Sequence, residues 1–286
     1  MITGVSIENG VYGPRAVLTA AWSEAIQHFL LENAVAEIEL NDGKGWRGKT
    51  LDFLSAFPQL RSFKIIDLRI SSVEPIHFLR ELRALEVITY CKTELRFSAF
   101  PHLEKCALEW RPNSGSLFDC GTLKNLFINR YNGKDVAPFA RLKKLESLAI
   151  LNAPIENLSG LHDLKNLRSL RLANLKRLTS LAGIEGLAEL EELEIHTCRG
   201  VSSINEIGHL SRLRKLNLNN DGEIATLKPL EKLSALESVS FYESTNIVDG
   251  DLSPLMRQMN LVRVSFQNRR HYSHQREDFG AKLKVS

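Results

Sequence analysis

The 286-residue sequence is 43% hydrophobic and 25% charged, a balance typical of a folded globular chain that excludes disordered and collagen-like classes. Its 37 Lys and Arg against 34 Asp and Glu give a net charge of +3, too small to make nucleic acid the default partner. No apolar run approaches the roughly 18 residues of a membrane helix. The 45 leucines, against 17 glycines and 9 prolines, point instead to internal repeats.

The first 34 residues are predicted to form a helical cap. Apolar residues recur at helical spacing from Leu18 to Leu31, with polar residues between them. The start of the chain has no positive cluster followed by a long apolar core, so no secretion signal is predicted. The four cysteines lack CxxC spacing and a metal-binding pattern, which favours reduced thiols. We therefore expect a cytoplasmic protein.

A block of the form L-x-x-L-x-L recurs along the chain, most clearly from Leu167, Leu190 and Leu213. Successive blocks are separated by 25, 25, 18, 20, 22, 22, 23, 23, 23 and 25 residues. The first apolar residues of the blocks are Val35, Leu60, Leu85, Leu103, Leu123, Leu145, Leu167, Leu190, Leu213, Leu236 and Leu261. This period lies in the range of leucine-rich repeats.

The block is followed by I-x-x-L-x-x-L-x-x-L, as in residues 155–167, and this combination resembles the leucine-rich repeat family. It is similar to the internalin-like and phosphatase-regulator-like branch over residues 35–268. Cys198, followed by Val201 and Ile204, resembles the cysteine-containing subtype. The chain departs from the family where an asparagine usually stands, since that position holds Ala153, Leu175, Cys198, Asp221 and Ser244.

The repeats predict an α/β fold, namely a right-handed leucine-rich repeat solenoid with a parallel concave β-sheet and short helical or 3-10 convex segments. The domain plan is a cap at 1–34, about eleven repeats at 35–268, and a basic tail or cap at 269–286. The 18 and 20 residue steps around Leu103 predict irregular repeats there. The last segment contains Arg269, Arg270, His271 and Tyr272. It fits either a solvated cap or a binding arm.

The concave face is the predicted binding surface, because in-register strands bring equivalent positions side by side. Phe127 and Leu151 are expected to be exposed there, unless the loops of the short repeats fold over them. Aromatic and arginine side chains, which are enriched at interface hot spots, accompany them at the ends of neighbouring strands. The predicted protein-binding residues are Trp110, Arg111, Phe127, Arg130, Tyr131, Leu151, Arg171, Glu194, His196 and Tyr242.

Charged residues on the predicted face are expected to neutralise one another. Glu192 should neighbour Lys215, and Glu194 should neighbour Arg171, as surface ion pairs worth at most about 1 kcal/mol each. The alternation of Glu192, Glu194 and His196 resembles a metal-ligand set, but the flanking cations favour an unoccupied surface. The sequence lacks HExxH and GxSxG motifs, so no enzyme activity, metal or cofactor is expected.

These features predict a non-catalytic solenoid that binds another protein. The whole-chain pattern resembles cytosolic bacterial leucine-rich repeat proteins, some of which are similar to immunity proteins. The resemblance implies that the partner is a toxin, which the concave face would occlude without chemistry. Two alternatives are a nucleic-acid-binding module that uses the basic C-terminal segment, and a secreted effector or adhesin.

Overall fold

The computed structural model describes residues 3–280, and the chain divides into two compact units, Met1–Ile128 and Asn129–Ser286. Each unit is a stack of leucine-rich repeats and is described by itself. Within residues 3–280, no helix combines the length and the apolar character needed to cross a membrane.

The first unit begins with an antiparallel hairpin, which joins a series of parallel strands. One α-helix, α1 (Glu24–Glu32), follows the hairpin. The strands are β1 (Val5–Asn9), β2 (Pro14–Leu18), β3 (Glu37–Asn41), β4 (Ser62–Ile66), β5 (Ala84–Ile88), β6 (Lys105–Glu109) and β7 (Asn125–Asn129), the last of which ends at the unit boundary. Short 3-10 turns at 52–56, 74–78, 97–99 and 114–119 return the chain between strands.

Helix α1 starts later than the sequence predicted. Ser23 caps it, since its hydroxyl accepts a hydrogen bond from the Ile26 amide at 3.3 Å. The predicted start at Leu18 is wrong because Leu18 ends strand β2, where it lies in register with Leu40 of β3 and is fully buried. An apolar residue at this spacing satisfies both a helical and a strand pattern.

Aromatic residues around α1 cover the interior of the first unit at its N-terminal end. Trp22 precedes α1 and stacks on Phe53, with ring centroids 3.7 Å apart and planes 12° from parallel. Trp46 follows β3, in a segment with glycines at positions 43, 45 and 48, and it is fully buried. Burial of these large rings stabilises the first repeats through the hydrophobic effect.

The third repeat lies three residues earlier than predicted. Ala84 of β5 stands opposite Ser62 of β4 and Lys105 of β6, so the block starts at Leu82 rather than Leu85. The two steps around it become 22 and 21 residues instead of 25 and 18. The predicted 18-residue step was wrong, and the repeat spacing is more even than the sequence indicated.

The second unit continues the same repeat with parallel strands in register. They are β8 (Ser147–Leu151), β9 (Ser169–Ala173), β10 (Glu192–His196), β11 (Lys215–Asn219), β13 (Ser238–Tyr242) and β15 (Arg263–Phe266), with a small second sheet of β12 (Glu223–Ile224) and β14 (Asn246–Ile247). The connections are 3-10 turns at 137–141, 159–161, 205–209 and 228–232 and the short helix α2 (Ser253–Met256).

Turns after these strands are tied together by polar side chains. The side-chain amide of Asn152 donates to Oδ1 of Asn129 at 2.7 Å, and that of Asn174 donates to Oδ1 of Asn152. The Ser244 hydroxyl donates to Asn220 at 2.8 Å. Asn152, Asn174 and Asn220 have positive φ, a conformation that asparagine tolerates better than most residues. Asn152, Asn174 and Asn220 therefore lie one residue before the position at which the family usually places its asparagine, and Thr197 takes the equivalent place between the last two.

The C-terminal segment packs against the last repeat. The Tyr272 ring is buried, and its hydroxyl accepts a hydrogen bond from the Ile247 amide at 3.1 Å. Phe279 is fully buried against Phe266 of β15, with ring centroids 5.8 Å apart. The segment thus covers this end of the second unit up to residue 280, and the rest of the predicted tail, 281–286, lies outside the described residues.

The basic side chains of this segment are partly used in that packing. Arg269 donates to the backbone carbonyls of Glu243 and Thr245, both at 3.2 Å, whereas Arg270 stays exposed. The arrangement holds the chain by backbone and aromatic contacts, and it places the Tyr272 ring inside rather than where a base could stack on it.

Candidate functional site on the open face of the sheet

We call the open face the side of the sheet formed by the first, third and fifth residues of each five-residue strand. The second and fourth residues, such as Phe63 and Ile65 in β4, are fully buried in the interior. Strand alternation directs their neighbours to the other side, and in-register pairing arranges those neighbours in columns. A predicted binding residue on a strand can therefore reach a partner only if it lies in one of these columns.

Three predicted residues lie in the first unit, and only two of them reach its surface. Phe127 is partly exposed on the open face of β7, and Trp110 is partly exposed just beyond β6, with its ring 5.9 Å from that of Phe118. Arg111 is 2% exposed, so its prediction as a surface contact is wrong. It follows the end of the strand, where alternation between faces no longer holds.

Arg111 instead anchors the turn after β5. Its guanidinium donates to the Thr89 hydroxyl at 3.1 Å and to the Cys91 thiol at 3.3 Å. Burial lowers the pKa of Arg111 below its usual value. A buried cation of this kind stabilises local structure through its hydrogen bonds, and it offers little area to a partner.

Of the predicted residues near the start of the second unit, Leu151 and Arg130 are accessible and Tyr131 is not. Leu151 is partly exposed at the end of β8, and Arg130 is exposed in a positive-φ turn, with its amide donating to the Leu151 carbonyl at 2.9 Å. Tyr131 is 5% exposed and packs edge-on against Phe139, with ring centroids 5.3 Å apart. Burial also raises the pKa of the Tyr131 hydroxyl. Its prediction as a surface residue is wrong for the same reason as that of Arg111.

The charged residues of the second unit pair as predicted. Arg171 Nε lies 3.2 Å from a Glu194 carboxylate oxygen, and Lys215 Nζ lies 2.5 Å from Glu192. His196 is partly exposed at the end of β10, with Asn219 beside it in register. Both carboxylates are thus held by cations, and no group of three or more His, Cys, Asp or Glu that could hold a metal occurs within residues 3–280.

Tyr242, the last predicted residue, is partly exposed at the end of β13. It lines an open cavity of about 510 Å³ together with Phe266, Arg269, Arg276 and Glu277. The cavity walls are mainly polar, and both signs of charge are present. Tyr242 therefore belongs to a mixed polar surface beside the C-terminal segment.

An apolar patch that the sequence did not reveal lies on the open face of the first unit. Ile66 and Ile88 are directly opposite each other at the ends of β4 and β5, and both are partly exposed. Two residues further along, Leu68 is 48% exposed and Tyr90 is 54% exposed. We call Ile66, Leu68, Ile88 and Tyr90 the apolar patch. Placing the third repeat at Leu82 would have revealed it, because that register puts Ile88 on the open face.

An ion pair borders the apolar patch. Lys64 Nζ lies 3.1 Å from a carboxylate oxygen of Glu86, and both residues occupy the central column beside Ile66 and Ile88. A block that starts at Leu85 would place Thr89 between its second and third apolar positions, whereas the observed start at Leu82 places Glu86 there. The patch is therefore a small apolar surface with an ion pair on one side. Protein interfaces have the same arrangement, an apolar core bordered by a polar rim.

Several titratable side chains lie in the interior of the second unit and of the first. Asp221 is fully buried after β11, where its Oδ1 accepts the Cys198 amide at 2.8 Å, and burial raises its pKa to about 7. Burial also raises the pKa of Cys120 to about 11 and that of Cys198 to about 12. These thiols are protonated at neutral pH and are poor nucleophiles.

Comparisons with known proteins agree with this architecture. No protein-family model and no curated protein sequence matches the chain. An internalin of Listeria monocytogenes (InlF) is 21% identical, with 90% of this chain and 83% of the internalin covered at a TM-score of 0.59. Internalin C2 of the same organism is 23% identical, with 65% of this chain and 83% of internalin C2 covered at a TM-score of 0.54. A leucine-rich repeat protein of Leptospira interrogans is 14% identical, with 87% of this chain and 81% of that protein covered at a TM-score of 0.53.

The chain is therefore a leucine-rich repeat solenoid, similar in fold to the internalins. The predicted fold class and the predicted family resemblance are confirmed. Solenoids of this kind present long surfaces for protein interaction, and at these identities the likeness concerns the fold.

Proposed function

We propose that the protein is a non-catalytic scaffold that binds another protein through the apolar patch of its first unit. The observation that carries the proposal is the in-register exposure of Ile66 and Ile88, with Leu68 and Tyr90 exposed just beyond the ends of the same two strands. Covering such side chains is favourable by about 25 cal/mol per Å² of apolar surface removed from water. Exposed apolar side chains grouped on a folded surface are typical of interaction sites.

Phe127 and Trp110 extend this surface. The amides of Lys124 and Asn125 bond to the Glu104 carbonyl in the same way that those of Glu104 and Lys105 bond to Arg83, which places Phe127 two strands from β5. Phe127 is therefore in the same column as Glu86 and, at about 4.8 Å between strands, lies about 10 Å from it. A partner that reaches both would present apolar side chains flanked by polar groups that match Lys64 and Glu86.

The finer role that we propose is that of a cytoplasmic bacterial immunity protein, whose partner is a toxin. The resemblance of the sequence to bacterial leucine-rich repeat proteins supports it. The mechanism would be occlusion, in which the bound scaffold excludes the toxin's target by shape and charge. The test is co-expression with a toxin encoded next to the gene. Survival with wild type but not with Ile88→Asp supports the role, and equal killing in both strains contradicts it.

The binding role itself is tested by affinity capture from native lysate, followed by calorimetry with the recovered partner. The variant is Ile88→Asp, and the matched control is Phe78→Asp. Phe78 belongs to the same repeat and is 55% exposed, but it lies in the 3-10 turn outside the sheet. Loss of a hot-spot residue costs at least about 2 kcal/mol, so Ile88→Asp should weaken binding by about 30-fold or more.

The Phe78→Asp control should retain wild-type affinity. Equal recovery and equal affinity for the wild type and Ile88→Asp would remove the apolar patch from the binding site. Equal melting temperatures of the two variants establish that both chains are folded.

A further inference from the structure

Strand β1 forms an edge of the sheet in the first unit. Within residues 3–280, β1 pairs with β2 alone. Edge strands carry a row of unpaired backbone groups, and proteins usually protect them with lysine, proline, a bulge or a covering segment. The sequence of β1, Val-Ser-Ile-Glu-Asn, contains neither lysine nor proline, and its five residues pair with β2 without a bulge.

The hydrogen bonds of the hairpin fix which backbone groups face outward. The Thr19 amide donates to the Gly4 carbonyl at 2.8 Å, and the Gly10 amide donates to the Gly13 carbonyl at 3.0 Å. Hydrogen-bonded pairs alternate along an antiparallel ladder, so the even-numbered residues of β1 bond to β2. The N–H and C=O groups of Val5, Ile7 and Asn9 therefore point away from the hairpin.

The side chains of β1 add an apolar element to this edge. Ile7 stands opposite Ala16, which is fully buried, so its side chain lies on the interior side of the sheet at the end of the stack. It remains 37% exposed. Glu8 lies on the open face and is paired with Arg15 at 2.8 Å. The edge thus combines unused backbone groups, an uncovered apolar side chain and a neutralised charge.

We propose that two copies of the chain associate through β1, paired antiparallel about a two-fold axis at Ile7. In this register Ile7 faces its own copy, Val5 faces Asn9, and Ser6 faces Glu8. All outward backbone groups of the three odd-numbered residues are then used, which gives about six hydrogen bonds. The two Ile7 side chains cover each other, and no like charges stand directly opposite.

Sedimentation equilibrium of the full chain, from low to high micromolar concentration, tests the proposal. The wild type should show a concentration-dependent dimer. Ile7→Pro removes an outward N–H that the hairpin does not use, so the fold should persist while the dissociation constant rises at least tenfold. Val11→Ser is the matched control, since Val11 is 76% exposed at the hairpin turn but lies outside β1. It should dimerise like the wild type.

A second variant guards against a folding defect in the proline variant. Ile7→Lys leaves the backbone intact and places two like charges opposite each other, so it should dissociate the dimer to a similar extent. A wild-type chain that is monomeric at every concentration would overturn the proposal. Wild-type dissociation constants for both Ile7 variants would overturn it as well.

The register has its own test. Ile7→Cys should form an intermolecular disulfide under mild oxidation, because directly opposite residues of a hydrogen-bonded pair have Cα atoms about 5.5 Å apart. Val11→Cys, although more exposed, should cross-link at least tenfold more slowly. Equal rates for the two variants would contradict the two-fold pairing at Ile7.

Discussion

The open faces of the two units are built on the same repeat but present different chemistry. In the first unit, Ile66 and Ile88 stand opposite each other at the ends of neighbouring strands and stay partly exposed. In the second unit, the corresponding end column holds Ala173, His196 and Asn219 in β9 to β11. Its central column carries an ion pair, Arg171 with Glu194, as the central column of the first unit does. The periodic core sets where side chains point, and the outward residues decide what the surface can bind.

This difference also has an energetic meaning. A partner that covers the apolar patch gains free energy from every apolar atom it removes from water. A partner that covers an ion pair must first desolvate two charges, and the gain from their mutual attraction roughly offsets that cost. We therefore expect the apolar patch of the first unit to supply most of the free energy of partner binding. The charged open face of the second unit would contribute to specificity and solubility.

The largest predicted effect is a difference in stability between two mutations in β4, one of a buried residue and one of a surface residue. Ile65→Ala should reduce the free energy of unfolding by about 2–5 kcal/mol, because Ile65 is fully buried and its truncation leaves a cavity. Ile66→Ala should cost less than about 1 kcal/mol in stability while weakening partner binding. Urea unfolding and calorimetry measure the two quantities. Equal losses of stability would contradict the assignment of Ile66 to the open face.

The next effect concerns the polar interior of the second unit. The pKa of Asp221 rises from an ordinary 3.8 to about 7 on burial, so the folded state holds a proton that the unfolded chain releases. Its contribution to stability is fully present below about pH 4 and is lost as the pH rises through 7. The free energy of unfolding of the wild type, relative to Asp221→Asn, should fall by about 3 kcal/mol between these values.

Urea unfolding at a series of pH values measures this change. Only the difference between the two proteins is informative, since other groups titrate in both. A difference that is independent of pH would show that Asp221 is ionised in the folded protein.

The smallest effect concerns the charged face. A double-mutant cycle of Arg171→Ala and Glu194→Ala should give a coupling free energy of no more than about 1 kcal/mol, and it should decrease with added salt. Neither variant should change partner affinity by more than a few fold. A coupling that is much larger, or a strong loss of binding, would give the second unit a role that the comparison denies it.

The regular part of the chain could be predicted from its sequence. Steps of 22 and 23 residues fixed the strands from Leu123 onward, and strand alternation then paired Glu194 with Arg171 and Glu192 with Lys215. In such a stretch, each repeat confirms the register of the next, so a single ambiguous residue has little influence.

The irregular part could not be predicted, for reasons visible in particular residues. Both Leu82-x-x-Leu85-x-Val87 and Leu85-x-x-Ile88-x-Tyr90 satisfy the repeat pattern, and a shift of three residues exchanges buried and exposed sides. Arg111 and Tyr131 were placed at the surface although they follow the strand ends, where contacts such as that with Phe139 decide burial. Only packing in three dimensions supplies that information.

The most direct test of the proposed binding surface is hydroxyl-radical footprinting of the protein, free and bound to its captured partner. Oxidation of Ile66, Ile88 and Tyr90 should fall at least several fold on binding, while oxidation of Tyr242 and His196 should not change. Protection confined to Tyr242 and His196, with the apolar patch oxidised equally in both states, would contradict the account.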